Sequence, residues 1–180
     1  LDFVNWNTAR ATSILYDSSH VYIAGVDNNQ SVCWKDGSLV LLGGSSSAAN
    51  ATAADAAGNL YIGGYCCDSN DGLYYPCYWK LLSGASTATM VKLESSGASS
   101  PGTAVNGIAF YSGLVYAVGV SADGRAMLWK DKFDTNGIEM SSVLVDGTAA
   151  TSIAVCYGNV YVAGTDGTNA VYWMNGVKTI

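Results

Sequence analysis

Charge and proline are what this 180-residue chain has least of. Charged side chains make up 12% of it and there are two prolines; the charged share is about half the usual one. Eight Lys and Arg stand against fourteen Asp and Glu, a net charge of −6. That is the wrong sign for a protein that tracks phosphates along a nucleic acid or lies on an anionic membrane. The single histidine, His20, excludes any mechanism or zinc site that needs two. No run approaches the roughly 18 consecutive apolar residues of a membrane-spanning helix. No segment sustains the i, i+3, i+4 apolar spacing of a long helix. No Gly-rich loop opens a helix, so phosphate binding has no support, and nothing in the pattern implies a cofactor or a metal. The chain opens on Leu1 with no basic-then-apolar leader. That is the expectation for an exported chain whose signal peptide has been removed, or for a piece of a longer protein.

What is present is apolar and glycine-rich. Hydrophobic residues make up 49% of the chain and glycines number 21, with a mean hydropathy of +0.20. This is enough to bury a core, so intrinsic disorder is excluded as the main state. Short runs rich in Val, Ile, Tyr and Trp, punctuated by Gly, Asn-Gly and Asp-Gly, read as strands and hairpins.

A repeat dominates the pattern. A Tyr-x-x-Gly unit recurs at Tyr22–Gly25, Tyr61–Gly64, Tyr116–Gly119 and Tyr161–Gly164. Each is followed by an apolar residue and a tryptophan, at Cys33-Trp34, Tyr78-Trp79, Leu128-Trp129 and Tyr172-Trp173. The tryptophans lie 45, 50 and 44 residues apart. Before each Tyr stands a small-residue start, as in Thr12-Ser13-Ile14 and Thr151-Ser152-Ile153. In the first unit the strands read as Thr12–Tyr16, Val21–Val26, Ser31–Lys35 and Ser38–Leu42. Four antiparallel strands in about 45 residues is the size of one β-propeller blade. The second strands are apolar on both faces, which suits a sheet packed between two others. The expectation is an all-β propeller of about four four-stranded blades, with at least sixteen strands and almost no helix. Its units run over 9–44, 45–95, 96–146 and 147–180, with 1–8 a stray outer strand. That stray strand, with Phe3, Val4 and Trp6 expected to be buried, leaves three readings open: a closed four-blade ring, an arc of a larger propeller, or protomers that complete each other.

The Tyr-x-x-Gly and Trp34-Lys35-Asp36-Gly37 units resemble the Tyr-Trp-Lys-x-Gly propeller blades of many secreted and surface bacterial proteins, and are similar in layout to HAF-type extracellular repeats. The Gly-His and Trp-Asp pairs of WD40 blades are absent. The resemblance implies an exported propeller and no catalytic residue.

Candidate function sits where the repeat is broken. Tyr and Trp are 12 or 13 residues apart in units one, three and four but 18 apart in unit two. The insertion, Tyr65 to Cys77, carries Asp68, Asn70, Asp71, Tyr74 and Tyr75. Tyrosines beside acids and amides suit a sugar or peptide ligand, so these five are the candidate binding residues. Asp68, Asn70 and Asp71 before Gly72 have part of a calcium-loop composition, but a hairpin turn selects the same residues. The four repeated tryptophans read as core, and His20 as a solvated turn residue. Two sequons, at Asn29 and Asn50, are no more than chance supplies.

Five cysteines without zinc-ligand spacing suggest disulfides in an oxidising compartment. One of Cys66 and Cys67 should close the hairpin with Cys77, the other could reach Cys33, and Cys156 is the odd thiol. Together these features point to a non-catalytic, secreted or cell-surface scaffold that binds a protein partner or self-assembles. The alternative is a lectin-like module that takes a glycan at the Tyr65–Cys77 loop, and an enzyme or its accessory domain comes third.

Overall fold

The computed structural model describes residues 9–17, 19–94, 97–99, 102–132, 138–144 and 146–179. The stray strand at 1–8, with Phe3, Val4 and Trp6, lies outside the described residues. Those residues form sixteen strands and no helix. The first sheet holds β1 (Arg10–Tyr16), β2 (Val21–Asp27), β3 (Gln30–Lys35) and β4 (Ser38–Leu41). The second holds β5 (Ser45–Ala54), β6 (Leu60–Cys67), β7 (Tyr74–Leu81) and β8 (Thr89–Lys92). The third holds β9 (Ala104–Tyr111), β10 (Leu114–Val120), β11 (Ala126–Lys132) and β12 (Ile138–Val143). The fourth holds β13 (Ala149–Cys156), β14 (Asn159–Thr165), β15 (Ala170–Met174) and β16 (Val177–Thr179). Each is an antiparallel meander with its strands in chain order.

Consecutive sheets pack on one another through their first strands: β1 lies against β5, β5 against β9 and β9 against β13. Side chains alternate across each strand, and the repeat keeps that alternation in phase. The Tyr of Tyr-x-x-Gly and the residue before Trp point to the following sheet; the Trp points to the preceding one. Tyr61 and Tyr78 thus meet Val105, Ala117 and Trp129 of the third sheet. Tyr116 and Leu128 meet Val162 and Trp173 of the fourth. Trp79, Trp129 and Trp173 are fully buried. Trp34 occupies the same place in the first sheet but is only half-buried, because among the described residues no sheet precedes it.

The glycine of the repeat has a steric cause. A Cβ at Gly25, Gly64, Gly119 or Gly164 would overlap the carbonyl oxygen of Arg10, Ala48, Ala104 or Ala149, the residue just before its partner in the first strand. The crowding goes with a β-bulge in every first strand, where the register slips at Thr12, Asn50, Asn106 and Thr151. A bulge leaves one residue out of the ladder and re-aims its side chain. Here the freed side chain reaches the next sheet. Thr12 Oγ1 lies 2.5 Å from the Ala49 carbonyl. Asn50 Nδ2 donates to Val105 O at 3.0 Å and Asn106 Nδ2 to Ala150 O at 2.9 Å. Each acceptor directly precedes the bulged residue of its own sheet, so the same clasp recurs at all three junctions. Asn50, a sequon residue, has its amide committed to this clasp. A buried ion pair adds to the second junction, where Asp131 accepts from Tyr78 Oη and lies 3.9 Å from Lys80 Nζ.

Candidate functional site

The long hairpin between β6 and β7 carries every residue expected to bind a ligand, and it divides them. Its turn closes through Asp68 N to Leu73 O at 2.9 Å and Gly72 N to Asp68 O at 2.8 Å. The Asp68 carboxylate accepts from Asn70 N and Nδ2, both at 2.9 Å, and forms an ion pair with Lys92 of β8. That lysine, with the Asn70 N–H, holds the Asp68 carboxyl below its ordinary range. Asp71 accepts from Leu73 N at 2.8 Å and from Tyr75 Oη at 2.5 Å. Tyr75 is buried, with Lys92 Nζ 4.0 Å from its ring centre. The segment after β8 then closes over it. Tyr74 and Ala98 exchange both backbone hydrogen bonds, and a Cβ at Gly97 would come within 2.8 Å of Tyr75 Cζ. Asp68, Asn70, Asp71 and Tyr75 therefore build the loop.

Tyr74 remains half-exposed. It meets Tyr65 edge to face, with ring centres 5.9 Å apart. Together with Val26, Asn29, Ser46 and Ser47 the two tyrosines line an open cavity of about 300 Å³ between the first and second sheets. The connection that brings Ser46 there is pinned by buried hydroxyls. Ser31 N donates to Ser47 Oγ at 2.9 Å, and Ser31 Oγ to Gly43 O at 2.9 Å. An aromatic wall facing an amide and a hydroxyl can stack on a sugar ring and hydrogen-bond its rim. Of the five candidate residues, Tyr74 faces this cavity, and Tyr65, which bounded the insertion, is its partner.

The cysteines correct an expectation. All five are free thiols, so neither the bridge to Cys77 nor one to Cys33 is formed. Across the β6–β7 ladder Cys77 faces Gly64, while Cys66 faces Tyr75. Cys66 and Cys77 are diagonal neighbours on one face, with Cα atoms at the roughly 7–8 Å diagonal spacing, beyond ordinary disulfide reach. Their thiols hydrogen-bond instead, which lowers Cys66, while burial pushes Cys77 up. Cys67 turns to the opposite face. Burial raises the Cys33 thiol to about 11.

Two further cavities lined by charged side chains were not anticipated. One of about 340 Å³, at the same end of the strands as Tyr74, is lined by Glu94, Ser121, Ala122, Asp123, Arg125 and Met127. Glu94 accepts from Ala122 N at 3.0 Å, and burial raises its carboxyl. Asp123 accepts from Arg125 Nε at 2.6 Å, and that bond lowers it. The signal was available: the Asp123-Gly124-Arg125 turn is the counterpart in unit three of the unit-two insertion. The other, also about 340 Å³, lies at the opposite end, where Asp17, Ser19, His20 and Tyr22 face Asp55–Gly58 and Ser83. His20 is not simply solvated there, because its Nδ1 lies 2.5 Å from Asp36 Oδ2. Among the described residues no group of three His, Cys, Asp or Glu is placed to hold a metal, and no helix is long and apolar enough to cross a membrane.

No family model matches the chain, and no curated protein matches it.

Proposed function

We propose that this chain is a propeller-type array of about four blades, outside the cell or on its surface, that works as a non-catalytic binding and assembly scaffold. The supporting observation is the junction between sheets. One set of positions supplies the apolar face, the clasp and the close-approach glycine three times over, which is how a rigid array is built from nearest-neighbour contacts. Blade-sized units whose first strands adjoin favour a radial arrangement about an axis. The location rests on the likeness of the Tyr-x-x-Gly and Trp-Lys-Asp-Gly units to secreted and surface blades. Electron microscopy of the purified chain tests the arrangement. Sheets radiating from an axis near β1, β5, β9 and β13 are expected, and a flat parallel stack would overturn it. Turnover in a hydrolase panel, abolished by Glu94→Gln, would overturn the non-catalytic part.

A second reading, a lectin-like module, is favoured by the Tyr65–Tyr74 cavity. A glycan array run on the wild type and on Tyr74→Ala decides it. Binding lost in the variant supports a sugar site, and no binding by the wild type removes it.

A further inference from the structure

The fourth sheet exposes a face that its three predecessors bury. Tyr161 is 37% exposed, whereas its counterparts Tyr22, Tyr61 and Tyr116 are 3%, 0% and 8% exposed. Tyr172 is 45% exposed, where Tyr78 and Cys33 are sealed. Burial in β14 and β15 alternates strictly, with Val162, Val171 and Trp173 covered and Tyr161, Ala163, Tyr172 and Met174 open. The first sheet shows the converse. Its face toward a preceding sheet exposes Ile14, Val21, Leu39 and Leu41, while Leu60 and Val115, counterparts of Val21, are buried.

Among the described residues neither end is finished as a cap. Terminal units of a solitary array carry a polar outer face. Here the residue after Trp is a lysine in units one to three, at Lys35, Lys80 and Lys130, and becomes Met174 in unit four. The open face of the first sheet is apolar at Ile14, Val21, Ile23, Leu39 and Leu41, and its charged position is Asp27, at the end of β2. The clasp is also left half-made. Among the described residues Thr151, the bulged residue of β13, hydrogen-bonds within its own sheet, to Ala163 O at 3.1 Å. Ala11, the counterpart of the acceptors Ala49, Val105 and Ala150, is exposed. The two ends are thus the two halves of the junction that the chain makes three times internally.

We propose that a second copy of this chain docks head to tail, with the first sheet of one molecule on the open face of the fourth sheet of the other. In that junction Tyr161 and Tyr172 pack on Ile14, Ile23 and Trp34, and Thr151 turns to the Ala11 carbonyl. The contact is heterologous, so repeating it closes a ring or extends a filament. This deepens the scaffold reading by naming its partner, and rests on it.

Sedimentation velocity and light scattering of the intact chain over a range of concentrations test the proposal. The wild type is expected to populate species of more than one chain. Tyr172→Asp and Ile14→Asp, each spoiling one half, are expected to be monomeric with an unchanged circular dichroism spectrum. Mixing the two variants should restore one junction and give a complex of two chains and no larger. A monomeric wild type, assembly unaffected by either variant, or a mixture that stays monomeric overturns the proposal. If an aspartate variant fails to fold, Tyr172→Thr and Ile14→Thr stand in under the same criteria. A monomer whose sheets radiate about an axis would refute the docking and leave the scaffold reading intact; a self-associating flat stack would do the reverse.

Discussion

Replacing Gly119 by alanine is the sharpest test of why the repeat keeps its glycine. A Cβ there overlaps the Ala104 carbonyl oxygen and comes within 2.9 Å of its carbon and 3.0 Å of Val105 Cα, all of them backbone atoms. No rotamer change relieves this. Restoring ordinary contact requires β9 to retreat by roughly 1.5 Å, at the bulge that aims Asn106 at Ala150 O and seats Val105 in the second junction. Forced overpacking costs about 1–3 kcal/mol, and loss of the Asn106 bond adds about 1 kcal/mol. A destabilisation of about 2–4 kcal/mol follows, read as a fall in the urea midpoint monitored by tryptophan fluorescence. The sign is the critical result. At a strand position free of such contacts the same change reduces unfolded-chain entropy and stabilises by about 0.4–1 kcal/mol. An unchanged or raised midpoint for Gly119→Ala would refute the crowding, and with it the account of the bulge and clasp.

Other outcomes follow from the same geometry. Asn106→Ala should cost about 1–2 kcal/mol by leaving the Ala150 carbonyl without its partner, and a silent substitution would show that the clasp adds nothing. Trp129→Ala should cost about 3–5 kcal/mol as a fully buried truncation, and Trp34→Ala clearly less in the monomer, both measured by urea unfolding. Ellman titration of the native protein near pH 8 should find Cys156 reactive and Cys33 and Cys77 silent until denaturant is added; a thiol count below five after unfolding would show a disulfide. The Asp17 carboxyl is held down to about 2 by the His20 and Ser19 N–H groups. A depressed carboxyl stabilises the folded state above its unfolded value of 3.8 and loses that contribution as pH falls through about 2. The midpoint difference between wild type and Asp17→Ala should therefore be constant near neutrality and shrink in that acid window, and a difference independent of pH would refute this role of the Asp17 carboxylate.

The sequence by itself determined the period, the strands and their phase. Alternation of side chains is local, so Tyr22-Ile23-Ala24 and Val32-Cys33-Trp34 declare two buried faces before any partner is known. The first unit's strands were legible to within two residues at either end. Tyr-x-x-Gly was legible as a landmark, but not the reason for its glycine, because the obstructing carbonyl belongs to a strand 15 or 16 residues earlier. The clasps join residues 37, 55 and 44 apart, a separation at which no local pattern speaks. The hairpin that breaks the repeat was legible, but not which of its side chains stay open. Asp68, Asp71 and Tyr75 have the composition of a ligand site, yet a turn and a lysine from β8 consume them, and only the packing of β8 and Ala98 against the hairpin shows it. The cysteines show the same limit from the other side. Which thiols share a face follows from parity, but whether they can bridge depends on register, and Cys77 stands opposite a glycine. Tertiary structure alone decided which of four chemically alike faces are covered, because burial is a property of neighbours: among the described residues Trp129 has a sheet in front of it and Trp34 has none.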